Sequence, residues 1–541
     1  MQKALLLFIL LGCSSLATAQ NRYFVLFKDK ASSNFSLEKP SEYLSSRAIE
    51  RRNKQNISIS TNDLPVNQSY LKVLKEGGAE VLFTSKWLNG AVIEIDKNDL
   101  NTVLEYDFVK GLEGEYSNGL EGPNARRKPN TKDYSYPVFS DAGASTDQLQ
   151  MLGADVMQNQ GFTGKGVLIG VFDSGFPNAP NLDVFQNLFN ENRVVETYDF
   201  VNQEENVFND HYHGTHVLSC IAADLEGKMK GTAPGASFLL YTTENVFSET
   251  RMEEVNWLIA AERADSIGVD IISTSLGYSN FDGKEQDYTY STLDGNTALI
   301  TRAADLAASK GILVIASAGN EGNDPWKFIT PPSDADSIIS VAAVNSDGQY
   351  AAFSSLGPSV DGRIKPEVAA KGVATTIASP NNLIGAGNGT SYAAPLITGL
   401  AAGLRQAFPD LTAMELRDII LKSGSQAGQP DDKLGYGIPN FLRAYEMANI
   451  QSLISSTDEN ILVFPNPAEN SDFIKVLIVN EELGNSFEVS LSNLSGQELY
   501  RETFKRNYFE LPLQQEVRPT GTYLLKIWNE NFSETKRIFI E

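Results

Sequence analysis

Four apolar runs in the middle of the chain share one pattern. Each is continuous, short, and closed by glycine or a polar residue: 166–173 (GVLIGVFD), 238–241 (FLLY), 270–277 (DIISTSLG) and 311–320 (GILVIASAGN). Runs of this kind read as strands buried on both faces, as in a parallel sheet. Between and after them, residues 251–267, 297–309 and 396–408 carry apolar positions at helical spacing, and the 251–267 helix reads as amphipathic. Strands alternating with helices predict a parallel sheet with helices on both faces.

The flanks follow other rules. From residue 21 to about 125, YFVLF at 23–27 and AVIEI at 91–95 read as strands, while 41–54 (rich in arginine) and 99–106 read as helices. That is a small α+β unit. At the other end, GYG at 435–437 and a helical stretch at 440–448 lead into a polar linker, 451–459. Beyond it, strand-like segments at 461–467, 487–491, 523–527 and 537–540 alternate with glycine turns and no strong helix. A small β-sandwich fits that pattern, and a carbohydrate- or protein-binding module is its rival. The first residues have the form of an export signal: Lys3, an apolar run at 4–11, then ATA at 17–19 before Gln20. This run is too short to remain in a bilayer as a spanning helix. LLGC at 10–13 also fits a lipoprotein acceptor, although cleavage after Ala19 is favoured. The expected organisation is a signal peptide at 1–19, an α+β domain and linker at 20–140, an α/β domain at 145–450 and a C-terminal β-sandwich at 460–541.

Composition narrows the partners. At 541 residues the chain exceeds one hydrophobic core, and 42% hydrophobic residues with 10% aromatics belong to a folded chain. The formal charge of −24, from 44 basic and 68 acidic side chains, argues against nucleic acid or an anionic membrane as partner. Cleavage after Ala19 removes Cys13 and leaves Cys220 alone, so no intramolecular disulfide is expected. Cys220 is expected to pack in the helix after His213 and to carry no chemistry.

The chemistry concentrates in one place. All three histidines lie at 211, 213 and 216. Histidine takes and returns a proton near neutral pH, so the window is either a metal cluster or the general base of a nucleophilic triad. No His-Glu-x-x-His pattern supports the metal. A triad also needs a carboxylate and a nucleophile. Asp173 closes the 166–173 strand at its carboxyl end, where open α/β sheets bind ligands, although an Asx-turn would also place it there. Ser391 opens a helical run after a glycine-rich segment, in the positive end of the helix dipole, where it is equally an ordinary N-cap. Asn320 ends another strand between glycines and could donate to an oxyanion, or merely occupy a left-handed turn.

DSG at 173–175, HGTHV at 213–217, AGN at 318–320 and GTS at 389–391, in that order, resemble the subtilisin-like serine proteases over roughly residues 145 to 450. The resemblance implies a subtilisin-like α/β fold and an Asp-His-Ser triad working through an acyl-enzyme. Asp173 would orient the base, His213 would be the base, Ser391 the nucleophile and Asn320 the oxyanion donor. Ser275, Leu276 and Gly277 would line the primary specificity pocket and pair with an extended substrate, with Ala316, Ser317 and Ala318 as the opposite wall. Such small side chains imply an open pocket that takes a bulky residue. Two departures stand out: Tyr392 replaces the methionine usual after the serine, and Lys371 stands where proline is usual.

The N-terminal unit resembles the inhibitory propeptide of such proteases, with an unrelated accessory domain as its rival. Arg126, Arg127 and Lys128 in its linker form a candidate cleavage site, though basic runs are more often simply solvated. The C-terminal unit resembles the sorting domain of type IX secretion cargo, through FPNP at 464–467, LSGQE at 494–498 and GTYL at 521–524. The whole reads as an exported serine endopeptidase made as a zymogen, either secreted or attached to the cell surface. Its expected partners are a protein or peptide substrate, its own propeptide as inhibitor, and the secretion machinery. No cofactor is required; the family's structural calcium finds no recognisable ligand loop. A catalytically silent binding or adhesion protein on the same fold is the alternative, with a metal-dependent hydrolase at the histidine window behind it.

Overall fold

The computed structural model describes residues 21–31, 33–116, 145–455, 459–468, 473–484, 486–513 and 520–540. The export-signal stretch and the 126–128 basic run lie outside the described residues. The chain divides into two compact units, Met1–Asn449 and Ile450–Glu541.

The first unit opens with the α+β domain. Strands β1 (Asn21–Phe27), β2 (Glu80–Ser85), β3 (Gly90–Ile95) and β4 (Val109–Tyr116) form an antiparallel sheet in the order β2-β3-β1-β4. Helix α1 (Ser46–Lys54) starts later than its sequence implies, because Ser45 caps it by accepting from Ala48 N at 3.1 Å; residues 40–42 make only one 3-10 turn. Helices α2 (Gln68–Glu76) and α3 (Lys97–Leu104) follow, the latter begun by the Asp96 cap. Alternation decides the two faces of β1. Tyr23 and Val25 pack among the domain's own residues, whereas Phe24, with Val92 and Trp87, joins a core shared with the α/β domain.

That α/β domain begins with α4 (Thr146–Leu152) and α5 (Ala154–Asn159). Its sheet is formed by β5 (Leu168–Asp173), β6 (Val194–Asp199), β9 (Ser237–Thr242), β10 (Ile271–Thr274), β11 (Leu313–Ser317), β12 (Ile339–Val344) and β13 (Val368–Lys371). All seven strands are parallel, in the order β13-β12-β11-β10-β5-β9-β6. Helix α6 (Gln186–Asn190) precedes β6, and a short ribbon, β7 (Asp224–Leu225) with β8 (Met229–Lys230), precedes β9. A core lies on each side of the sheet. Ile169 and Val171 of β5 face α7 (His213–Ala222) and α10 (Thr390–Ala407), while Leu168 and Phe172 face α8 (Met252–Ile267) and α9 (Leu299–Ser309). The hairpin β14 (Thr375–Ala378) and β15 (Ile384–Gly387) delivers the chain to α10. Helices α11 (Ala413–Lys422) and α12 (Phe441–Ser455) complete the first of these cores. Helix α12 runs through 451–455, where the sequence implied linker; no glycine or proline interrupts it there.

Helix α8 departs from the amphipathic reading. Its acidic residues Glu253, Glu254, Glu262 and Asp265 are all buried: the α+β domain covers Glu262 and Asp265, whereas Glu253 accepts from the Asn245 and Thr250 amides and Glu254 from the Tyr288 hydroxyl. The cover is ionic. Asp265 Oδ1 accepts from Arg51 at 2.5 Å and Arg52 at 2.8 Å, and Lys86 Nζ lies 3.0 Å from its Oδ2. Arg52 also pairs with Asp63 at 3.0 Å. Burial alone would raise the Asp265 carboxyl, but Lys86, Arg51 and Arg52 outweigh it and hold it below the usual carboxylate range. Removing one partner of such a buried group strands the rest. We expect Asp265→Ala to destabilise the full chain by about 3–5 kcal/mol, read as a lowered urea midpoint. A midpoint unchanged within error would show the network contributes nothing.

The second unit holds β16 (Ile461–Phe464), β17 (Phe473–Ile478) and β20 (Tyr508–Pro512) in one antiparallel sheet. A second comprises β18 (Phe487–Asn493), β19 (Glu498–Phe504), β21 (Gly521–Trp528) and β22 (Ser533–Ile540). Inward residues of both sheets, among them Ile474, Val476, Leu491, Leu525 and Ile538, share one core, so the segment is a β-sandwich.

Candidate active site

The chain builds β6 and β9 on one side of β5, then crosses to place β10 and β11 on the other. Ligands in open α/β sheets bind at such a switch point, beyond the strands' carboxyl ends. Each candidate residue sits there or faces it.

Asp173 is the last residue of β5 and fully buried. Its Oδ1 accepts from Ser174 N at 2.8 Å and Ser174 Oγ at 3.1 Å. His213, the first residue of α7, places Nδ1 2.8 Å from Asp173 Oδ1 and 3.1 Å from Oδ2. The contact needs α7 pressed against the strand end. A side chain on Gly214 would put its Cβ 2.3 Å from the Gly175 carbonyl oxygen.

Ser391 is the second residue of α10, with Gly389 (φ 152°) turning the chain into the helix. The start of α10 is tied to the end of β10: Ser275 Oγ donates to the Ser391 carbonyl at 2.8 Å, and Ser391 Oγ to the Ser275 carbonyl at 3.3 Å. Asn320 follows β11. Its Oδ1 accepts from Thr390 N at 2.9 Å and Thr390 Oγ1 at 3.0 Å, which leaves the amide NH2 end for the cleft.

His213, Ser391 and Asn320 line one cleft of about 150 Å³. Ser275, Leu276, Gly277 and Ser317 line it as well. Ala316 and Ala318 are fully buried beside Ser317, Ala316 turned into the core under α8 and α9 and Ala318 into a small cluster with Leu293 and Ile329; Gly319 and Thr330 line the cleft in their place. Strand alternation explains this, since only every second residue faces the opening. Asp173 stands behind His213.

The other two histidines have separate engagements. His211 Nδ1 lies 3.3 Å from Ser174 Oγ, and His216 Nδ1 lies 3.3 Å from the Tyr392 hydroxyl. Burial, then the neighbouring His213, pushes His211 down to about 4 and His216 down to about 3. Both are therefore neutral at pH 7, and the three rings do not converge on a common point. Tyr392 thus braces the histidine window, and Lys371 forms an ion pair with Asp147. Cys220 is buried within α7 as a free thiol, raised by burial.

Three acidic residues of the cleft escaped the sequence reading: Glu244 and Glu249 after β9, and Glu321 after Asn320. Glu244 was within reach of the strand-end rule that found Asp173, because FLLY ends just before it. Ser174 and Thr390 were inside quoted motifs, but their contacts depend on tertiary structure.

Three stretches of the chain match known families. Residues 164–437 match the model of the subtilase family, residues 22–133 a peptidase S8 propeptide domain of Bacteroidota, and residues 462–541 a secretion system C-terminal sorting domain. Serine protease AprX of Bacillus subtilis (strain 168) is 32% identical over 311 residues, covering 52% of this chain and 66% of that protein. Subtilisin NAT of Bacillus subtilis subsp. natto and subtilisin E of Bacillus subtilis (strain 168) are each 34% identical over 361 residues, covering 66% of this chain and 81% of theirs.

Proposed function

The chain belongs to the subtilase family of serine endopeptidases, and on that premise we propose that Ser391, His213, Asp173 and Asn320 are its catalytic residues. Ser391 Oγ attacks the peptide carbonyl while His213 Nε2 takes its proton and then passes it to the leaving amine. Asp173 holds the proton on Nδ1, so Nε2 is the basic nitrogen, and stabilises the imidazolium. The Asn320 NH2 and the Ser391 N–H, the latter at the positive end of α10, receive the oxyanion. Water then hydrolyses the acyl-enzyme by the same route. One observation carries this reading: a buried carboxylate holds Nδ1 of the histidine that shares a cleft with Ser391 and Asn320. The metal-hydrolase reading needs the three rings to meet, and they are engaged apart. A silent binding protein gives no reason for an Asn320 amide fixed by two hydrogen bonds from Thr390.

The test is covalent. A fluorophosphonate probe should label the protein, and peptide mapping should find the adduct on Ser391. Labelling of another residue, or none, would reject the assignment.

The propeptide and sorting domains make this an exported zymogen. Further parts of the reading are proposals: boundaries at 20–140, 145–450 and 460–541, inhibition by the chain's own N-terminal domain, and recognition of the sandwich by the secretion machinery. The inhibitory role is supported by β4, whose last residue, Tyr116, shares a buried core with Met252 and Val255 at the start of α8. An extended substrate would pair its backbone with Ser275–Gly277, which asks little of its sequence. Among the described residues no group of three His, Cys, Asp or Glu side chains is placed to hold a metal ion.

A further inference from the structure

The walls of the cleft carry three carboxylates, Glu244, Glu249 and Glu321, and neither lysine nor arginine. Charge of one sign in a cleft with low-dielectric walls concentrates ligands of the other sign. Resting on the peptidase reading above, we propose that this cleft selects peptides bearing lysine or arginine close to the scissile bond, with Glu244 and Glu249 on one wall and Glu321 on the other as the residues that set the preference.

The surroundings support this independently of the count. Glu244 is half-buried at the end of β9 and accepts a hydrogen bond from the Tyr278 hydroxyl; it has no ion pair among the described residues. Burial, then the Glu249, Asp173 and Glu254 carboxylates, hold its carboxyl well above the ordinary range despite that bond. Glu253 behind it is raised in the same way. A substrate ammonium or guanidinium entering the cleft would supply Glu244 with the cation that no described side chain provides. Arginine is suited to this, since its fork pairs with carboxylates in two places. Glu321 immediately follows Asn320 and is buried, so its charge acts close to the reacting carbonyl. The chain also carries a peptide of this chemistry: Arg126, Arg127 and Lys128 follow Tyr116, the last described residue of β4, by only ten to twelve positions.

The test uses the purified protein and two internally quenched peptides. One copies residues 121–130 (EGPNARRKPN), and the other carries Arg126→Gln, Arg127→Gln and Lys128→Gln. The basic peptide should be cleaved with at least about tenfold higher kcat/KM. In Glu244→Gln/Glu249→Gln, and separately in Glu321→Gln, that ratio should fall about tenfold or more. Glu249→Lys should move the preference towards a peptide with glutamate at the basic positions, a gain that misfolding cannot produce. Equal or slower cleavage of the basic peptide by the parent protein overturns the proposal. So does a ratio that survives all three sets of substitutions, or cleavage of neither peptide by protein that still labels with fluorophosphonate. Loss of labelling as well would count against the peptidase reading itself.

Discussion

Ser391→Ala is expected to lower kcat by about 10⁶-fold, a magnitude carried over from subtilisin itself. The structure explains why so much depends on one oxygen. Ser391 Oγ makes a single long hydrogen bond, 3.3 Å to the Ser275 carbonyl, so its removal should cost stability no more than about 1 kcal/mol. The Asn320 amide, its Thr390 support and the His213–Asp173 pair remain, yet they have no nucleophile to act on. Casein hydrolysis and fluorophosphonate labelling should therefore vanish while the thermal unfolding midpoint falls by no more than about 4 °C. A second readout follows from the N-terminal domain: if the chain matures through its own cleft, the variant should accumulate unprocessed. Activity within tenfold of the parent protein would remove Ser391 from the centre of the mechanism.

The parts of this site that were legible in the sequence are those written locally. Asp173, Asn320 and the Ser275–Gly277 segment all stand where a continuous apolar run stops, because a parallel strand buried on both faces must end at a polar turn. The three histidines needed no inference beyond their spacing. What stayed hidden depends on segments distant in the chain. The 2.9 Å bond from Thr390 N to Asn320 joins residues 70 positions apart. Glu262 and Asp265 of α8 misled for the same reason: their periodicity is that of a helix wet on one face, and the sequence cannot show that Arg51, Arg52 and Lys86 cover it. The Glu244–Glu249 wall lies in a loop with no period at all. Strand alternation separates Ser317 from Ala316, and only the fold shows that Ser317 is the one facing the cleft.

Asp173→Asn should prove nearly as damaging as loss of the nucleophile, and for a reason the hydrogen bonds specify. Asp173 Oδ1 accepts from Ser174 N at 2.8 Å, a donor that cannot be reversed. An asparagine would keep its carbonyl oxygen there, still 2.8 Å from His213 Nδ1, but would set its NH2 at the place of Oδ2, 3.1 Å from the same nitrogen. That donor favours the tautomer in which Nδ1 accepts and the ring proton sits on Nε2, so the nitrogen meant to take the Ser391 proton already carries one. A fall in kcat of about 10⁴-fold is expected, with KM little changed, since the carboxylate lies behind the ring and touches no substrate. With only three histidines in the chain, the tautomer can be read directly from ¹⁵N shifts of the rings. His213 should change from Nδ1–H to Nε2–H while His211 and His216, held neutral by burial, stay as they were. Activity within tenfold of the parent, or an unchanged His213 tautomer, would show that Asp173 does not orient the base.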